Sequence, residues 1–215
     1  MSVAIVSGVG PLDGLGAQLC VRFASLGLHV LVAGRTASKL QEVVDDIAAA
    51  GGSAAAVVAD SASEADTERL FDLAGDDLTL AIYNTGNNTP GKIIDMSADY
   101  FENSWRVCCF GGFLFGRAAV QRYAGRGGTL LFTGASASLR GKANFGAFNS
   151  AKAGLRTLAQ AMAKEYGPNG IHIGHIVVDG AINGEKIKKN NPDLAKKLGD
   201  KGMINIEGIV ESYVH

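Results

Sequence analysis

Proline is scarce in this chain: 4 residues of 215, where about 11 would be usual. No stretch reads as a linker, a repeat or a second domain, so residues 1–215 are expected to form one unit. Cysteine is scarcer still, with only Cys20, Cys108 and Cys109. An odd number without regular spacing excludes a disulfide framework and fits a reducing compartment. Neither charge sign is in excess: 20 Lys and Arg stand against 21 Asp and Glu, a net charge of -1. That balance gives no electrostatic reason to expect nucleic acid or an anionic membrane as partner. No apolar run approaches the roughly 18 residues that span a bilayer. The opening Met1-Ser2-Val3-Ala4-Ile5-Val6 lacks the basic region and cleavage site of a signal peptide. The expectation is a soluble cytoplasmic protein that acts on a small molecule.

What the chain has in plenty is glycine, 29 residues against about 15 in an average chain of this length. No G-X-Y period accompanies it, which excludes collagen. The glycines run from Gly8 to Gly208 and form no low-complexity tract, while 47% hydrophobic and 19% charged residues suffice for a buried core. They therefore belong at turns, helix ends and close backbone approaches. Between them, short β-rich runs alternate with helical stretches. Strands are expected at Val3–Ser7, His29–Ala33, Ala54–Ala59, Leu78–Tyr83, Thr129–Thr133 and Ile171–Val178. Helices are expected at Gly14–Leu26, Ser38–Ala50, Glu64–Ala74, Ala98–Ala124, Phe145–Tyr166 and Ile204–Val214, with a looser lysine-bearing segment at Asp179–Lys201. This alternation predicts βαβ units: a doubly wound α/β fold, its parallel sheet of six or seven strands covered by helices on both faces. Gly111, Gly112 and Gly116 fall inside one predicted helix, where each costs about 1 kcal/mol relative to Ala. Their clustering suggests close packing against a neighbouring helix.

The first strand runs into Ser7-Gly8-Val9-Gly10-Pro11-Leu12-Asp13-Gly14-Leu15-Gly16, and a helix follows. Such a turn lets backbone N–H groups approach a pyrophosphate, and the helix N-terminus adds partial positive charge. The same pattern could be a tight βα turn with no ligand, but its place after a first strand and before a helix is the context a dinucleotide site requires. The second strand ends Val32-Ala33-Gly34-Arg35-Thr36. An acid there would bond a ribose 2′-hydroxyl, whereas an arginine accommodates a 2′-phosphate. With Arg35 and the hydroxyls of Thr36 and Ser38 in place of an acid, NADP(H) is favoured over NAD(H).

With these features, the chain resembles the short-chain dehydrogenase/reductase family over nearly its whole length. Asp60-Ser61 follows the third strand, where the family contacts adenine, and Asn84-Thr85-Gly86 is similar to the family's Asn-Ala-Gly motif. Gly180 closes a segment similar to the family's Pro-Gly element, with Asp179 in place of proline, and Lys152 lies four residues after Phe148. The resemblance implies cofactor contacts from Ser7, Gly8, Gly10, Gly14, Leu15, Gly16, Arg35, Thr36, Asp60, Ser61, Asn84, Thr85, Gly86, Lys152, Gly180 and Ile182, with a mobile substrate loop at about 181–203. It also implies a homodimer or homotetramer through two long helices, with Phe101, Trp105, Phe110, Phe113 and Phe115 divided between core and interface.

The chain departs from the family in three further respects. Gly10, Gly14 and Gly16 keep the family spacing, but the turn is two residues longer, at Leu12-Asp13, and Asp13 brings a carboxylate beside the phosphate position. The Ser–Tyr–Lys set that reduces carbonyls, helped by an Asn, retains only Lys152: Ala135 stands at the serine, Phe148 at the tyrosine and Cys108 at the asparagine. Ser136 lies one residue from the serine position. The family continues beyond a helix like Ile204–Val214 into a seventh strand, whereas this chain stops at His215, so either the sequence is incomplete or the sheet has six strands and an open edge. A positioned general acid contributes about 10²–10⁴ in rate. Two readings follow: an oxidoreductase with a substitute donor (Ser136, Ser138, Asn144 or a water held by Lys152), or a catalytically silent relative that binds cofactor as a sensor or subunit partner. A methyltransferase with a similar turn is weaker, because it leaves Asn84-Thr85-Gly86 and Lys152 without a role. No metal site is expected, since His172 and His175 lie at odd separation on one strand and so face opposite ways.

Overall fold

The computed structural model describes residues 1–190 and 192–214. Six strands, β1 (Val3–Ser7), β2 (His29–Gly34), β3 (Ser53–Val58), β4 (Leu78–Tyr83), β5 (Gly128–Ala135) and β6 (Ile171–Val178), pair throughout in parallel, in the order β3-β2-β1-β4-β5-β6. Because both faces are covered, the central strands read as unbroken apolar runs; β1 is buried at all five positions. Successive side chains feed opposite layers. Ala4 and Val6 join Leu19, Val32, Leu40, Ile82 and Ile209 on one face, while Ile5 joins Leu31, Tyr83, Phe115, Phe132 and Leu155 on the other.

The first layer is closed by α1 (Leu15–Ser25), α2 (Ala37–Ala49) and α9 (Ile206–Glu211), the second by α3 (Glu64–Ala74), α5 (Gly111–Tyr123) and α6 (Gly146–Tyr166). Side-chain caps start several helices. Ser63 accepts from the Asp66 N–H before α3, and Ser97 accepts from the Tyr100 N–H before α4 (Ala98–Trp105). Helix α1 differs: its cap is Gly14, with no side-chain bond to the first-turn N–H groups.

Four elements differ from the sequence reading by more than a single residue at an end. The stretch expected as one helix at Ala98–Ala124 runs from Ala98 to Tyr123 but carries a π-helical turn at Arg106–Phe110, between α4 and α5. The buried Tyr83 hydroxyl donates to the Val107 carbonyl at 2.5 Å, a side chain inserted at the widened turn. Strand β5 runs on to Ala135, held by pairing with Val178. The looser segment forms two short helices, α7 (Glu185–Asn190) and α8 (Pro192–Gly202); Pro192 suits a first helical position, and Gly199 interrupts α8 with φ 58°. The last helix begins at Ile206 because Ile204 is taken up in a β-bridge with Ile182. His215 and the side chain of Lys186 lie outside the described residues. No helix among those described is long and apolar enough to cross a membrane.

Candidate active site

The strand order reverses between β1 and β4, so the connections leave in opposite directions and open a crevice at the strands' carboxyl ends. The glycine turn fills one side of it. Gly8 has φ 90°, and a Cβ there would lie 2.7 Å from the Asn84 carbonyl carbon and the Thr85 nitrogen. Only glycine permits that approach, which the Asn84 Nδ2 seals by donating to the Gly8 carbonyl at 3.2 Å. The N–H groups of Gly8 and Val9 both donate to Ala33, so they hold the turn to β2. The two additional residues form a tight turn, Pro11–Gly14, closed by the Gly14 N–H on the Pro11 carbonyl at 2.9 Å and braced by Gln18 on the Leu12 carbonyl. Asp13 is exposed at its tip and does not cap α1; its backbone carbonyl and its carboxylate both lie against Gly184 beyond β6.

The groups left facing the crevice fit a pyrophosphate. A Cβ at Gly10 would meet open space, and the first-turn N–H groups of α1, from Leu15 and Gly16, have no side-chain cap. Past β2, Arg35 and Thr36 are exposed; Arg35 has no ion pair among the described residues, and the Thr36 side chain caps nothing. Asp60 is exposed after β3, its carboxylate accepting from the Ala62 N–H. Ser7 Oγ lies 3.4 Å from Thr85 Oγ1.

Lys152 projects from α6 with 4% of its surface exposed, and its Nζ donates to the Thr133 carbonyl at 2.8 Å and the Thr85 carbonyl at 3.2 Å. Gly86 leaves room for it, since a Cβ there would sit 3.3 Å from Nζ. Thr133 is itself fixed from the opposite face by the Tyr213 hydroxyl, 2.6 Å from its Oγ1. Phe148, one turn before Lys152, holds its ring 5.9 Å from Nζ. Cys108 is buried in the π-helical turn, its thiol donating to Asn87 Oδ1 at 3.4 Å; Asn87 in turn bonds the buried Ser104.

The alternative donors divide. The Ser138 hydroxyl donates to the Ala135 carbonyl at 2.7 Å. Ser136 faces Asp179 and, with Arg140, holds that carboxyl below the usual range. Asn144 adopts φ 67° and gives its carbonyl to the Gly91 N–H at 2.7 Å. Gly180 and Ile182 follow β6, packed against and bridged to Ile204. His175 packs on Gly134; burial first, then the charges of Lys152 and Arg156, push its pKa down to about 4. Among the described residues no cluster of metal-ligating side chains occurs.

The sequence reading missed Arg140, whose guanidinium bonds Asp179 across the mouth at 3.2 Å, and the Tyr213–Thr133 support of Lys152. Both join residues far apart in sequence, and no local pattern marks them. The glycines Gly111, Gly112 and Gly116, expected to let a neighbouring helix, including one of a second subunit, pack closely, face inward instead: Gly111 towards Tyr83 and Ser61, Gly112 against Leu155 and Gly116 against Met162 of α6. The exposed face of the long helix carries Phe101, Trp105 and Phe113 instead, while Phe115 is core.

The comparisons agree with this architecture. The short chain dehydrogenase family profile matches residues 2–194. A short-chain dehydrogenase/reductase of Hericium erinaceus, eriH, is 32% identical over 180 residues, covering 79% of this chain and 70% of that protein. The uncharacterized oxidoreductase YuxG of Bacillus subtilis is 30% identical over 192 residues, 86% of this chain, but the chain spans only 28% of its length. A short-chain dehydrogenase structure from Rhodopseudomonas palustris superposes with TM-score 0.79 at 31% identity, covering 95% of this chain and 97% of that one. A 7α-hydroxysteroid dehydrogenase structure, complexed with NADH and 7-oxo glycochenodeoxycholic acid, superposes with TM-score 0.89 at 25% identity, covering 99% and 85%. With a parallel six-stranded sheet, a glycine turn at its switch point and a family profile matching residues 2–194, the chain belongs to the short-chain dehydrogenases.

Proposed function

We propose that the protein binds NADP(H) and works as an oxidoreductase on a carbonyl or alcohol compound, with a proton donor other than tyrosine. The observation that carries this reading is Lys152, a buried ammonium fixed by two backbone carbonyls beside Gly86. A chain that had kept only the fold would have no reason to hold that charge at the crevice. The Leu15 and Gly16 N–H groups would take the pyrophosphate, Asp60 and Ser61 the adenine side, and Asn84, Thr85, Gly86 and Lys152 the ribose next to the nicotinamide. The bound nicotinamide supplies or accepts a hydride. Proton transfer then falls to the Lys152 ammonium or a water it holds, because Ser136 faces Asp179 and Ser138 is committed to Ala135.

Support for NADP(H) over NAD(H) comes from Arg35, a cation without an ion pair among the described residues, next to the uncapped Thr36 hydroxyl. The exposed Phe101, Trp105 and Phe113 support assembly with a second copy of the chain.

The test is a titration followed by an assay. NADPH fluorescence enhancement should report binding at least about tenfold tighter than NADH, and Arg35→Glu should reverse the order. NADPH consumption is then followed against a panel of aldehydes and ketones. Turnover lost in Lys152→Ala supports the reading. Binding without turnover gives the silent cofactor-binding role instead, and absence of binding overturns both.

A further inference from the structure

Ala135 and Val178 are the last register pair of β5 and β6, and the chain leaves the sheet immediately beyond each. On the β5 side a short 3-10 turn, Ser136–Ser138, folds back so that the Arg140 N–H donates to the Ser136 carbonyl at 3.2 Å. On the β6 side the next residue is Asp179, at the position of the family's proline. The two side chains meet beyond the carboxyl ends of β5 and β6, on the same end of the sheet as the crevice: Arg140 Nη2 lies 3.2 Å from one Asp179 oxygen and 3.4 Å from the other. Among the described residues the pair engages one guanidinium nitrogen, Nη2, and an arginine has five N–H donors in its plane. The pair stands open to solvent, with Arg140 68% and Asp179 60% exposed, so a ligand entering the crevice reaches it without unfolding anything.

The wider charge pattern points the same way. Residues 87–97 and 136–145 connect the carboxyl ends of β4 and β5 to the helices that follow, and 179–203 carries the chain on from β6 through α7 and α8. Their described side chains include eight Lys and Arg against three Asp and Glu, on a chain that as a whole holds 20 against 21. A mouth of net positive charge on a protein of net charge -1 concentrates anions at the crevice.

We propose that the substrate carries a carboxylate, that Arg140 is the residue that selects it, and that Asp179 positions Arg140 for the task. Asp179 is the internal demonstration of the chemistry: a carboxylate already occupies one side of the guanidinium, at the edge of the site. Arginine suits the role because its planar fork matches a carboxylate where a lysine offers only a point charge. Asp179 remains charged throughout the neutral range, since Ser136 and Arg140 hold its carboxyl below the usual value, and so keeps the guanidinium oriented. The inference rests on the oxidoreductase reading for the position of the crevice, and its test is arranged to stand apart from it.

The probes are 4-formylbenzoate and its neutral methyl ester, which share an aldehyde and differ in the carboxylate. Binding of each is measured by saturation-transfer NMR, with and without NADPH, and the NADPH affinity is measured for every variant. The expected result is that the acid binds about tenfold tighter than the ester, with the difference shrinking as salt is raised. Arg140→Gln should remove the preference and Arg140→Lys should fail to restore it. Asp179→Asn should weaken the acid severalfold, leave the ester unchanged, and be rescued in part by Asp179→Glu. NADPH affinity should be the same in all four variants. Equal or absent binding of the two probes, or a preference that survives Arg140→Gln, overturns the proposal. Loss of NADPH binding in the unaltered protein overturns the oxidoreductase reading instead, and the acid–ester comparison without cofactor still decides this one.

Discussion

Phe148 and Lys152 lie one helical turn apart on α6 and carry opposite information about the site. Lys152 keeps its carbonyl partners, whereas Phe148 offers a ring where a proton would be needed, with Ala135 equally inert beyond it. The double variant Ala135→Ser, Phe148→Tyr should therefore raise NADPH-dependent carbonyl reduction by about 10²–10⁴, the usual contribution of a positioned general acid. Steady-state kinetics on the panel that defines the basal rate would check it, and no gain would mean the crevice differs from its relatives in more than two side chains. These positions were legible in the sequence because they are local, four residues apart on one helix or at the end of one strand. Arg140 and Asp179 were not, since they are 39 residues apart and meet only because β5 and β6 pair side by side. Asp13 shows the same limit. Its presence was plain in the sequence, but its placement against Gly184 depends on the Pro11–Gly14 turn, which the sequence did not reveal.

At the level of elements, the π-helical turn joins a strand to a helix. Tyr83 ends β4 just before Asn84-Thr85-Gly86, and its hydroxyl holds the Val107 carbonyl next to Cys108. Tyr83→Phe should destabilise the fold by about 1–2 kcal/mol, because the buried carbonyl loses its donor. Chemical denaturation should show the loss, and hydrogen exchange should speed up around Arg106–Phe110 ahead of the rest of the helix. Strand and helix existence followed from periodicity, and most boundaries fell within two residues of the structure. The π turn did not, because nothing in Arg106-Val107-Cys108-Cys109-Phe110 departs from a helical pattern and its cause is a tyrosine from another element. The 181–203 segment misled for a different reason: its lysines read as a solvated loop, while helix formers on either side of Pro192 satisfy two short helices.

On the scale of the molecule, the exposed aromatic face of the long helix and the half-buried His175 make separate predictions. Light scattering after size exclusion should give a dimer or tetramer that Phe113→Asp reduces to a smaller species. His175 governs acid behaviour. Its pKa is near 4 in the fold and near 6.5 when unfolded, so between those values only the unfolded chain takes up the proton. Stability is therefore complete above about pH 6.5 and falls as pH drops towards 4. After discounting for partial exposure, this amounts to about 1–2 kcal/mol. His175→Gln should flatten thermal melting across that window, and an unchanged profile would assign the acid loss elsewhere. A last consequence follows from the support beneath Lys152. Tyr213 fixes Thr133, Thr133 and Thr85 hold the ammonium, and Asn84 locks the turn that begins at Gly8. The crevice is therefore knotted together from stretches some two hundred residues apart, in a sheet whose every pairing is parallel. Such long-range closures form slowly. During synthesis the strands can assemble early, but the cofactor pocket takes its final shape only when the chain near Tyr213 has docked, so competence to bind should lag behind the appearance of secondary structure in refolding.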